Sequence, residues 1–350
     1  RVITMANPIK SLGTFEVVAK IFKGVEASFE VKVEIDAKVS SMGHKLTKEY
    51  IEKTYDVEVE EAEPKEGNET EEESEDKKKR QSLSKKLDLY YTPCPSCAKD
   101  ETIQLEFEDV PDDGIDWEAI VLAIAKKIYE GKEIKDIPKK LRDSIYKLLL
   151  DAFTKGFGVY DDFPEKAKAF EFFKKNLYKF SGAKSMFEVL SIQEVLFDAD
   201  GGIIPFAEFK KRVKALNIQF NVQHLKTEYN HVIKAGQAAS NWVEYEKDSD
   251  LFGNLQYKTK GDKRVRPQHA NLNDIILSID DSFWDLYYPP NGWNCRCFVL
   301  QAASDVKTTA TSTAKTKAEK AKVSKSFAYN VGKEKKVFEE TTHPYFTGTS

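Results

Sequence analysis

At 350 residues, with 41% hydrophobic and 12% aromatic residues, the chain is long enough for two or three domains and rich enough to bury a core. Its 54 basic and 58 acidic residues leave a formal charge of -4, which excludes the basic balance of a dedicated nucleic-acid binder. No run of about eighteen apolar residues occurs, so no membrane span is expected.

The opening "RVITMANPIK" lacks the apolar stretch of a signal peptide, and it begins on Arg1 rather than methionine, as a fragment or processed product would. Residues 27–35, "ASFEVKVEI", alternate Phe29, Val31, Val33 and Ile35, which predicts a half-buried strand. "LTKEYIEKTYDVEV" follows, with Thr47 as an N-cap for a short helix. Residues 60–86 are an acidic block and then a basic one with almost nothing apolar to bury, which reads as a linker.

Beyond it, "DWEAIVLAIAKKIYEG" has an acidic start, an apolar face and Gly131 as a stop. "IPKKLRDSIYKLLLDAFTKGFG" predicts a second helix. "PEKAKAFEFFKKNLYKF" opens with Pro164 near its first turn and carries the stripe Phe170, Phe173, Leu177 and Phe180. "AKSMFEVLSIQEVLF" and "PFAEFKKRVKALN" predict two more helices, and residues 221–246 the longest of all. On that helix Leu225, Tyr229, Val232, Gly236 and Trp242 share a face, and Ala235, Gly236, Ala238 and Ala239 admit a close backbone. From 253 to 301 the chain is loop-rich, with short strands expected at "LQYKT" and "CRCFVLQ". The expected class is α+β: a small N-terminal α/β module (1–59), the linker (60–86), a mostly helical body with a loop-rich, short-strand end (87–302), a low-complexity linker (303–326) and a tail (327–350).

The four cysteines form two tight pairs, Cys94 with Cys97 and Cys295 with Cys297, a pattern of metal or redox chemistry rather than of a scattered disulfide framework. His269 with Cys295 and Cys297 offers zinc-type ligands, with Asp262 as a candidate fourth; the alternative is a locally bonded histidine and two small packed thiols. Cys94 and Cys97 are a candidate second pair, but Pro93 and Pro95 favour a loop over a thioredoxin-like site. His224, Glu228 and His231, spaced four and three apart, share one helical face and read as a polar stripe more readily than as a metal site. An HNH-type nuclease would need a second histidine beside His269 and Asn294, and none follows in a suitable place. The basic runs "KKLRDSIYK" and "KTKAEKAKVSK" read as solvated surface.

"TKGDKRVRPQHANLND", "DDSFWD" and "PPNGWNCRC" together resemble the phage Mu F-like minor head protein family. "LYKFSGAKS", "LKTEYNHVIKAGQAASNW" and the closing "HPYF" extend the resemblance over roughly residues 87–346, with Asn273 and Asp274 departing from the family's Asp-Gly. The motif falls on Asp262, Arg264, Arg266, Pro267, Trp284, Pro289, Pro290, Gly292, Trp293 and Arg296, with Glu228 on the helix before it. The resemblance implies that His269 and Arg266 stand where related proteins have a cysteine pair. It implies a non-enzymatic minor head protein of a tailed phage or prophage, assembled in the bacterial cytoplasm and resident in the virion. Its partners would be the portal protein, other head proteins and, transiently, phage DNA, with zinc the one cofactor to consider. "LTKEYIEKTYDVEVEE" is similar to the tail of Mu-like portal proteins. The other classes are a metal-dependent hydrolase or toxin-associated domain, and an assembly chaperone that leaves the particle.

Overall fold

The computed structural model describes residues 13–22, 25–33, 87, 90, 91, 114–159, 163–198 and 201–348, with the backbone alone for 13–33. The protein is α+β and mostly helical. The linker at 60–86, the helix expected from Thr47, and Cys94 and Cys97 lie outside the described residues. The strand expected over 27–35 is β2, Val25–Val33, paired antiparallel with β1, Gly13–Phe22, in the register Gly13 to Val33. The sequence reading passed over β1, whose alternation of Phe15, Val17 and Ala19 is interrupted by Val18.

Helix α1, Trp117–Tyr129, starts where Asp116 accepts the Ala119 amide at 2.8 Å and stops before Gly131, whose φ of 70° ends it. Helix α2, Lys139–Phe157, ends at Gly158 in the same way. Helix α3 runs unbroken over Pro164–Glu194, where two helices were expected. The Ser181 and Ser185 hydroxyls donate to the carbonyls four residues back, at 2.8 and 2.7 Å, and the helix passes through. Its stripe of Phe173, Leu177 and Phe180 is fully buried, each side chain contributing roughly 1.5–3 kcal/mol.

Helix α4, Phe206–Asn217, continues into a π-helical turn, Ile218–His224, and then into α5, Leu225–Lys247. The start expected at Asn221 therefore falls inside the π turn, and among the described residues α3 rather than α5 is the longest helix. The expected face of α5 is the buried one: Leu225, Tyr229 and Val232 are fully covered. The close approach is made by two glycines. A Cβ at Gly156 of α2 would lie 2.0 Å from the Ile233 carbonyl oxygen, and one at Gly236 of α5 would lie 2.7 Å from that of Phe153.

A three-stranded antiparallel sheet packs beyond α5, with β3 (Asn254–Lys258) between β4 (Ile276–Ser278) and β5 (Phe298–Ala302). Two short helices, α6 (Pro267–Ala270) and α7 (Phe283–Tyr287), lie in the loops between strands.

The stretch read as a linker at 303–326 instead forms helix α8, Thr311–Ala321, which buries Ala314, Ala318 and Ala321. Alanine packs with so little side chain that composition conceals the helix. The stretch read as a tail is core. Phe338 stacks on Phe180 at 3.6 Å, Tyr345 and Val337 are fully covered, and the Asn176 side-chain oxygen accepts the amides of Val337 and Phe338 at 2.8 and 2.9 Å. Short helices α9 (Val331–Glu334) and α10 (Pro344–Thr347) complete it.

Candidate functional site

The loop motif assembles around one histidine. Pro267 opens α6 and sets the turn that carries His269 inward, where it is buried. Cys295 and Cys297 approach from the segment leading into β5; residues two apart in an extended chain face the same side, which brings both sulfurs to one place. The His269 Nδ1 lies 3.6 Å from the Cys295 Sγ and 3.8 Å from the Cys297 Sγ. The donor atoms of all three residues lie within 4.8 Å of one another, the one such group among the described residues. Cys297 and His269 pull the Cys295 thiol below the usual thiol range, and the same contact with burial pushes Cys297 up. Two thiols and an imidazole are the donor set of a soft or borderline divalent ion, so the residues present fit zinc.

The surrounding residues lock the loops. Asp262 is held by Arg296 through two bonds, at 2.7 and 2.6 Å, and that pairing holds its carboxyl down at about 2. Asp262 is not among the residues whose donor atoms gather within 4.8 Å of one another, so the structure does not bring the candidate fourth ligand into that group. Arg266 donates to the Trp293 carbonyl and lies against Gly292. With Arg264 these guanidiniums line the pocket that contains His269, Cys295 and Cys297, and the Arg264 Nη1 is buried without a hydrogen-bond partner among the described residues. Pro289 and Pro290 are joined by a cis bond. Beside them Asn291 accepts the Tyr257 hydroxyl at 2.9 Å. Trp284 is fully buried and donates to the Ser278 carbonyl at 2.9 Å. Trp293 is buried against His231 of α5.

A second polar group lies in the helical core. Lys184 of α3 and Glu228 of α5 meet at 2.6 Å, both wholly covered, and Lys184 also donates to the Phe220 carbonyl of the π turn at 2.8 Å. The Tyr91 hydroxyl donates to the other Glu228 oxygen at 2.6 Å, while its ring stacks on His224 at 3.9 Å and on Trp293 at 5.0 Å. The His224 Nδ1 lies 3.2 Å from the Tyr345 hydroxyl. Burial, with Lys184 nearby, pulls His224 down to about 3, and burial pulls His231 down to about 4. Burial raises Glu188 to about 7, and one of its oxygens accepts Asn221 at 2.8 Å. His224, Glu228 and His231 thus share a face, as expected, but the face is sealed in the core and each residue turns to a different partner.

Lys184, Glu188, Tyr91, Tyr345 and Asn176 escaped the sequence reading. A signal for Lys184 was available: with Leu177, Phe180 and Phe187 it continues the apolar spacing of α3, and a lysine on such a stripe requires a buried partner.

The described residues form a helical α+β scaffold whose Pro- and Cys-rich loop end is locked by side-chain pairs. Residues 200–300 match the family described as Phage Mu protein F like protein. The chain is 40% identical over 77 residues to the putative capsid assembly protein F of Escherichia phage Mu, covering 22% of this chain and 18% of that protein. It is 43% identical over 44 residues to the Mu-like prophage FluMu F protein of Haemophilus influenzae, covering 13% of this chain and 11% of that protein. The chain therefore aligns with less than a fifth of the length of these curated relatives. No solved structure matches it. The matches give no support to the portal-tail likeness of residues 46–61.

Proposed function

We propose that this chain is a head-assembly protein of a tailed phage or prophage, a minor structural component resident in the virion. The observation that carries the reading is the match over residues 200–300, which covers α5, the three-stranded sheet and the locked loops. The relative in phage Mu is named for capsid assembly, and that role is extended here to this chain.

The chain docks at the portal vertex and there meets other head proteins and, transiently, DNA. The outer side of β5 supports the docking: Phe298 and Leu300, two residues apart on a strand at the sheet edge, are 38% and 45% exposed. Paired apolar side chains on an edge strand favour a protein partner. The role is non-enzymatic, and the salt-bridged Asp262–Arg296 pair and the buried tryptophans serve to hold loops in place.

Quantitative mass spectrometry of purified particles tests the reading. The expected result is a few copies per particle, retained with the portal when heads are dissociated. A chain needed for head formation yet absent from finished particles would identify an assembly chaperone instead, and normal particles in a deletion strain would remove the assembly role.

A further inference from the structure

We infer that His269, Cys295 and Cys297 form a structural centre for a soft divalent metal ion of the zinc class, which ties the α6 loop to the strand entering the sheet. Three independent features carry this. The residue types are the thiolate and imidazole donors that such ions select over carboxylate and water. Their separations are those of ligands around one ion. With metal–sulfur bonds of about 2.3 Å and metal–nitrogen bonds of about 2.0 Å in tetrahedral array, nitrogen and sulfur ligands lie roughly 3.6 Å apart. The His269 Nδ1 lies 3.6 and 3.8 Å from the two sulfurs. The third feature is placement. His269 and Cys295 are buried, and the two chain segments that meet here are separated by 26 residues containing only short elements.

The surroundings suit a bound ion with two thiolates. Arg264 and Arg266 line the same pocket and offset thiolate charge. Asp262, tied to Arg296, supplies no ligand but fixes the residue between the two cysteines, a support of the kind that orients metal ligands. Three protein donors leave one position of a four-coordinate ion to a further donor. Because this loop end contains short elements, part of its folding energy then comes from metal binding.

The test uses the full chain, reduced and purified without chelator. Elemental analysis should find roughly one zinc per chain. Cobalt(II) titrated into chelator-treated protein should give thiolate-to-cobalt charge-transfer absorption, and zinc should displace it. Chelation should lower the melting temperature and zinc should restore it. Cys295→Ser, Cys297→Ser and His269→Ala should each lose the ion. Because such variants can fail to fold, the cobalt spectrum and the reversible chelation of the unaltered chain stand as separate readouts. Absence of metal, with no charge-transfer band and a melting temperature indifferent to chelation, overturns the inference. So does an unchanged cobalt spectrum in the Cys295→Ser/Cys297→Ser variant, which would assign the ion to Cys94 and Cys97. None of these outcomes depends on whether the chain is found in particles, so the metal centre and the head-assembly role can fail separately.

Discussion

Lys184 and Glu228 face each other across α3 and α5 at 2.6 Å with neither side chain exposed. Removing water from two charges is costly, and here the loss is offset by their mutual attraction and by the Phe220 carbonyl and the Tyr91 hydroxyl. Breaking one side leaves an uncompensated buried charge. Lys184→Met or Glu228→Leu alone should therefore cost about 3–5 kcal/mol in urea unfolding, whereas the double variant should be more stable than either single one. Additive losses would mean that the two residues are not coupled.

The crossing of α2 and α5 at Gly156 and Gly236 makes a second prediction. Glycine to alanine in a helix interior ordinarily gains up to about 1 kcal/mol. At Gly236 the added methyl would meet the Phe153 carbonyl at 2.7 Å, so the helices must part. Gly236→Ala should lower stability by about 1–3 kcal/mol, read from the urea midpoint. A raised midpoint would deny the close crossing.

Stability should fall on mild acidification. Burial holds His224 down at about 3 and His231 at about 4, and burial with Lys184 nearby holds His343 well below the ordinary range. These depressed groups stay neutral when folded but take up protons when unfolded below about pH 6.5, so their contribution is complete above that pH and is lost toward pH 4. Glu188, raised to about 7, has the opposite sign: its contribution is present at low pH and is lost as pH rises through about 7. Three groups outweigh one, so unfolding near pH 5.5 should take up roughly two protons. Unfolding free energies at pH 7.5, 6.5 and 5.5 check the sign, and a profile that rises on acidification would contradict it.

Ending the chain after Ser326 should disrupt the body rather than trim a tail. Phe180 would lose the stacked Phe338, and Asn176 would lose both amides it accepts. Circular dichroism should find a broad, low-temperature melt. A sharp transition at the full-length temperature would restore the reading of 327–350 as an appendage.

Local sequence determined the helices with strong punctuation. Asp116 and Gly131 bracket α1, Gly158 ends α2, and the phenylalanine stripe of α3 states its buried face, because caps and 3.6-residue spacing act within a few residues. The same holds for grouping His269 with Cys295 and Cys297, since donor chemistry belongs to residue type. What lay beyond reach depends on partners far apart in the chain. That Lys184 is satisfied requires Glu228, 44 residues away; that the last residues are core requires Asn176, more than 160 residues before Val337 and Phe338. Ala314 and Ala318 look like filler in a low-complexity run, and only a neighbouring surface makes their small size an asset. Asp262 shows the same limit at the site: its residue type permits metal binding, but the fold pairs it with Arg296 and leaves it outside the donor group of His269, Cys295 and Cys297. Electrostatic and packing energies depend on separation in space, which the order of residues alone leaves open.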